Sequence, residues 1–157
     1  ETELVDTNNS CIVGASYGGY VALTAAFQRP KQFKCIASIA GIGDLLELAK
    51  DEYRYESKRP FIDKTIGNPT DDKIIASLKA TSAINYLKQI KAPILLIHGK
   101  HDTQVRFSQS DDFYDAAKDA DLDIDFVEFA NGTHYLDENE NRIEAFKVVG
   151  EFLEKHL

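Results

Sequence analysis

The chain is short of positive charge, with 18 Lys and Arg against 26 Asp and Glu and a formal net charge of −8 over 157 residues. Binding to a nucleic-acid backbone draws on clustered cations rather than on excess carboxylate, so no nucleic-acid partner is expected and the acidic balance reads as solubility. Long hydrophobic runs are also missing. Stretches such as 92–97 and 35–42 fall far short of the ~20 apolar residues a membrane-spanning helix requires, so no membrane partner is expected. No basic segment leading into an apolar one opens the sequence, an absence that a mature chain would share, so compartment stays undetermined. Cysteine is scarce: Cys11 and Cys35 stand alone, too few for a thiolate metal site. Each begins an apolar run, and the expectation is two buried free thiols acting as small hydrophobes, although neighbouring strands would bring them close. Internal repeats and low-complexity segments are absent.

What is present is a 43% hydrophobic, 28% charged sequence, enough for one globular domain with a real core. Short β-branched runs alternate with amphipathic stretches, the pattern of an α/β fold with a mainly parallel sheet covered by helices on both faces. Strands are expected near Cys11 to Val13, Cys35 to Ala40, Pro93 to His98 and Ile124 to Phe129. Between the first two, a helix ends near Pro30. Asp44 is placed to cap a helix running to about Glu52. Residues 53–69, charged, aromatic and punctuated by Pro60, Gly67 and Pro69, read as an irregular excursion over the sheet's C-terminal edge. Asp71 or Asp72 starts the next helix, Ser82 a shorter one, and Ser108 or Ser110 another. A last helix from about Glu140 to His156 is expected to bury Ile143, Phe146, Val149, Phe152 and Leu153 at a 3.6-residue period.

The chemistry concentrates at Gly14-Ala15-Ser16-Tyr17-Gly18-Gly19, a G-x-S-x-G nucleophile elbow directly after the run Cys11-Ile12-Val13. A serine lifted out of a sheet on a tight strand-to-helix turn needs small flanking residues, and Gly14 and Gly18 supply that room. Its hydroxyl would stand above a helix N-terminus, where developing negative charge is favoured. Such a serine needs a base and an acid to orient that base. Asp102 follows the third strand and His134 the fourth, at the sheet edge where catalytic groups of open α/β folds collect. The order Ser16, Asp102, His134 is that of an α/β-hydrolase.

Rivals are weaker. Asp44 suits capping. His98 and His101 resemble a metal pair only superficially, since no third ligand is evident. Residues 121–125 mimic a calcium loop but place Phe126 and Gly132 where glycine and glutamate are required. His156 complements a helix dipole. Neither metal nor cofactor is expected.

Together, Gly-Ala-Ser-Tyr-Gly-Gly-Tyr at 14–20, Ala-Gly-x-x-Asp-Leu at 40–45, His-Gly-x-x-Asp-x-x-Val at 98–105 and Gly-Thr-His-x-x-x-x-x-x-Asn-Arg-x-Glu at 132–144 resemble the C-terminal catalytic region of prolyl oligopeptidase family serine peptidases, nearest their acylaminoacyl-peptidase and dipeptidyl-aminopeptidase branch. The resemblance implies an α/β-hydrolase domain over residues 1–157, truncated at its N-terminus, acting on peptide substrates. It makes Ser16 the nucleophile, His134 the general base and acid, and Asp102 its orienting carboxylate. The backbone N–H of Tyr17 becomes an oxyanion donor, and Val105 borders the pocket for the residue before the scissile bond. It also implies a deficit, because the loop giving the second oxyanion donor has no place in residues 1–10; the fragment is expected to be weakly active or inactive. The elbow strand would then be a naked edge, which points to a homodimer paired through it. A carboxylesterase with the same triad and a non-catalytic interaction fragment remain as alternatives.

Overall fold

The computed structural model describes Asp6 and residues 9–157. Its apolar runs build one parallel four-stranded sheet in the order β1 (Cys11–Ala15), β2 (Cys35–Ile39), β3 (Ile94–Gly99) and β4 (Ile124–Phe129). Alternation along a strand sends successive side chains to opposite faces. Ile36, Ile94, Leu96 and Ile124 therefore meet one set of helices, α1 (Tyr17–Gln28) and α5 (Ser108–Asp119). Cys35, Ala37, Leu95 and Ile97 meet α6 (Asn139–His156) on the other face. The expected α/β architecture with helices on both faces is what these residues make. β3 is buried along its whole length, as a strand covered on both faces must be.

Asp44 caps α2 (Leu45–Tyr53), its carboxylate accepting from the amides of Leu46 and Glu47 at 2.9 and 3.2 Å. Asp71 does the same for α4 (Asp72–Ala80), accepting from Lys73 and Ile74. Between them the supposedly irregular stretch is partly helical, with a 3-10 turn at Glu56–Lys58 and α3 (Arg59–Thr65). Pro60 misled because it sits in the first turn of α3, where a missing N–H removes no helical bond. A 3-10 segment (Ala83–Gln89) then leads to β3.

Other expectations are corrected. Ile143 and Phe146 are 68% and 75% exposed, whereas Ala145, Val149 and Phe152 are the residues α6 buries. Ala145, Val149 and Phe152 recur at helical spacing, and it is this stripe that packs with Ala37, Leu95 and Ile97 of the sheet. Cys11 and Cys35 are not free. They are exact register partners on β1 and β2, with Cα atoms 4.7 Å apart, and form a disulfide. Parallel neighbours at the same register share a face, which brings the sulfurs into bonding range. The bridge ties the strand leading into Ser16 to its neighbour across a sequence separation of 24. Replacing both cysteines with serine is expected to lower unfolding stability by about 3 kcal/mol on loop-closure grounds, read by denaturant titration without reductant; equal stability of the two proteins would show the bridge contributes nothing. Among the described residues β1 is the outer strand of the sheet, with Val13 44% exposed.

Candidate active site

Ser16, Asp102 and His134 come from the C-terminal ends of β1, β3 and β4, and the fold brings all of them together. Ser16 has φ 56° and ψ −120° between strand and helix, a conformation that costs a non-glycine residue about 1–3 kcal/mol. It is held from both sides. Its N–H donates to the Ile39 carbonyl at 2.8 Å, and its carbonyl accepts from the Tyr20 amide at 3.1 Å as α1 begins. The turn is so tight that a Cβ on Gly14 would lie 2.0 Å from the Gly18 carbonyl oxygen, while a Cβ on Gly18 itself would meet nothing within 4 Å. The space requirement expected at Gly18 therefore belongs to its backbone and to Gly19, where a Cβ would stand 2.7 Å from the Gly41 Cα.

His134 bridges the other two residues. Its Nδ1 is 2.7 Å from Asp102 Oδ2 and its Nε2 is 3.0 Å from Ser16 Oγ. The ionised carboxylate only accepts, so Nδ1 carries the hydrogen and donates it. Nε2 is then the bare nitrogen, and the Ser16 hydroxyl donates to it. This is the tautomer in which an imidazole can take the serine proton.

Asp102 is fixed by more than His134. Its Oδ1 accepts from the amides of Gln104 and Val105 at 2.8 and 2.9 Å, and its Oδ2 accepts a second imidazole, His98 Nε2, at 3.1 Å. Burial alone would push the Asp102 carboxyl up. Hydrogen bonds from His98, then His134, Val105 and Gln104 outweigh it and bring the carboxyl from 3.8 to about 2. His98 was dismissed on sequence grounds as half of a spurious metal pair. The signal that finds it is positional: it shares a face with Leu96 inside a fully buried strand, and a histidine there must have partners for its ring nitrogens. His101 is exposed and contributes only its amide, which donates to the Gly132 carbonyl at 2.9 Å.

That contact joins the loops carrying Asp102 and His134, which lie so close that a Cβ on Gly99 would be 2.2 Å from the Gly132 carbonyl oxygen. Gly99→Ala is expected to push the loops apart and reduce reaction of Ser16 with a fluorophosphonate by about 10². An unchanged rate would show that the loops tolerate separation.

The other residues singled out from sequence lie around this centre. Tyr17 is the first residue of α1, where a backbone N–H has no acceptor within the helix, and its side chain is 68% exposed. Val105 is 5% exposed, its side chain clustered with Tyr20 and Ile42 and its amide on Asp102.

A parallel sheet with a serine elbow after its first strand, an acid after its third and a histidine after its fourth has the arrangement of an α/β-hydrolase. Residues 1–157 match the sequence profile of the prolyl oligopeptidase family, and the chain belongs to that family. It is similar to dipeptidyl aminopeptidase BIII of Pseudoxanthomonas mexicana, 31% identical over 141 residues that cover 89% of this chain and 20% of that protein. Acylamino-acid-releasing enzyme of Homo sapiens is 26% identical over 166 residues, covering 100% of this chain and 22% of its own length. Among solved structures, Pyrococcus horikoshii acylaminoacyl peptidase superposes with a TM-score of 0.84 at 29% identity, covering 97% of this chain and 24% of that one. This chain spans about a fifth of the length of such curated relatives.

Proposed function

We propose that this chain carries the reacting groups of a serine peptidase that cleaves oligopeptide or aminoacyl substrates through an acyl-enzyme. The observation that carries the reading is the continuous hydrogen-bonded line from Ser16 Oγ through His134 to Asp102, at 3.0 and 2.7 Å. Ser16 Oγ attacks the substrate carbonyl as His134 Nε2 takes its proton. The imidazolium, held by Asp102, returns that proton to the leaving amine, and water repeats the sequence to release the acid. The Tyr17 N–H, at the N-terminus of α1, faces the charge that develops on the carbonyl oxygen. Family membership supports the peptidase class, since the relatives named above are peptidases.

We further propose that this chain on its own is weakly active. The Tyr17 N–H is the oxyanion donor identified among the described residues, and one such donor is worth about 10² to 10³ in rate. Incubation with aminoacyl anilides and with simple esters, followed by mass analysis of the Ser16 peptide and of released product, tests both parts. Slow acylation of Ser16 and slow product release with both substrates are expected. Reaction with esters alone would replace the peptidase by an esterase, and reaction with neither would leave an inert fragment.

A further inference from the structure

We propose that Ser110 and His98 form a positioning pair behind the catalytic residues: the Ser110 hydroxyl holds His98 in its Nε2–H tautomer, and that N–H fixes the Asp102 oxygen to which His134 is bound. The proposal rests on the reading of Ser16, His134 and Asp102 given above. It concerns residues on α5 and within β3 that take no part in the proton transfers.

The geometry is closed at both ring nitrogens. His98 is 1% exposed, and its Nε2 lies 3.1 Å from Asp102 Oδ2 and 3.0 Å from the Val105 carbonyl oxygen. Both neighbours only accept, so Nε2 carries the hydrogen and shares it between them. Nδ1 lies 2.7 Å from Ser110 Oγ, and Ser110 is 2% exposed. With the hydroxyl donating to Nδ1, the ring is neutral and every polar atom is matched. The Phe107 ring meets the imidazole edge-on at 5.8 Å, which limits its rotation. Ser110 is thus used for side-chain chemistry rather than for the capping role its sequence position suggested.

Neutrality is the point of the arrangement. Asp102 is one buried negative charge, and His134 becomes its cationic partner during reaction. A second imidazolium at His98 would leave two buried positive rings around a single carboxylate, an arrangement that burial penalises. A neutral N–H holds Oδ2 in place without repelling His134. The charged groups on the surrounding elements do not change this. Glu128, the register partner of His98 on β4, is paired with Lys100. On α5, Asp111 and Asp112 adjoin Ser110 in sequence, and Arg106 pairs with Asp51. Among the described residues, Asp102 is the titratable group hydrogen-bonded to the His98 ring.

The test uses the full chain with His98→Gln, whose amide keeps a donor, His98→Leu, which has none, and Ser110→Ala, a small truncation chosen to preserve folding. Two readouts are taken: the rate at which a fluorophosphonate labels Ser16 as a function of pH, and nitrogen NMR of the histidine rings. In the wild type, the His98 ring is expected to show the single Nε2–H tautomer, and Ser110→Ala is expected to abolish it. His98→Leu is expected to slow labelling about tenfold, the worth of one hydrogen bond to a charged group. His98→Gln should restore most of the rate. A doubly protonated or Nδ1–H ring in the wild type, a tautomer unaffected by Ser110→Ala, or Gln and Leu variants equally slow would each overturn the pair. If wild-type Ser16 does not label at all, the catalytic reading fails instead, and the ring-nitrogen spectra still decide the tautomer.

Discussion

Ser16→Ala is expected to remove acylation and turnover together, with a loss on the order of 10⁶ in kcat, the size seen when one member of a cooperating serine–histidine pair is deleted. His134→Ala should cost about as much, and the double variant no more than either single one, because the residues act as one unit along the 3.0 Å contact between Nε2 and Oγ. Aminoacyl anilide hydrolysis measured for the three variants checks this. Additive losses would mean that the two groups work independently. Ser16→Gly should be equally inactive yet more stable by about 1 kcal/mol, since glycine adopts the φ of 56° without strain. Denaturant midpoints of the glycine and alanine variants give that comparison, and no stabilisation would place the strain elsewhere.

Asp102→Asn is expected to lower kcat by about 10⁴ while leaving KM nearly unchanged. The amides of Gln104 and Val105 both donate to Oδ1, so the asparagine carbonyl must occupy that side. Its NH₂ group then faces His98 and His134, which both offer N–H groups to Oδ2 in the wild type. His134 escapes the clash by moving its hydrogen to Nε2, where it can no longer accept the Ser16 proton. A buried donor left facing donors also costs about 1–3 kcal/mol of stability. A variant that keeps full rate would show that Asp102 does not set the tautomer.

The depressed Asp102 carboxyl gives this residue a definite pH signature. Its folded-state value of about 2 lies below the ~3.9 of an unfolded chain. Its contribution to stability is therefore complete above about pH 4 and is lost as pH falls through about 2. In the neutral range Asp102 stays ionised, so any pH dependence of labelling there belongs to another group.

The parallel sheet and the grouping of Ser16, Asp102 and His134 were legible because they depend on local signals: β-branched runs bounded by turns, a glycine-flanked serine, and an acid and a histidine in loops that follow strands. Asp44 was legible as a cap for the same reason, and Asp71 as one of two candidate helix starts. What stayed hidden depends on register and on packing. The Cys11–Cys35 bond follows from strand alignment, which neither strand announces alone. Ile143 and Phe146 fit the helical period of α6 but lie off the buried stripe of Ala145, Val149 and Phe152. His98 reads from sequence only as half of a superficial metal pair with His101, because its partner Ser110, 2.7 Å away, comes from α5 and depends on packing.

The central claim is that Ser16 is an activated nucleophile in this chain, with His134 as its base. Labelling with a fluorophosphonate near neutral pH, followed by mapping of the modified peptide, tests it most directly. The account predicts one adduct per chain on Ser16, absent in Ser16→Ala and slowed at least 10³-fold in His134→Ala. No adduct, an adduct on another residue, or equal labelling with and without His134 would contradict it.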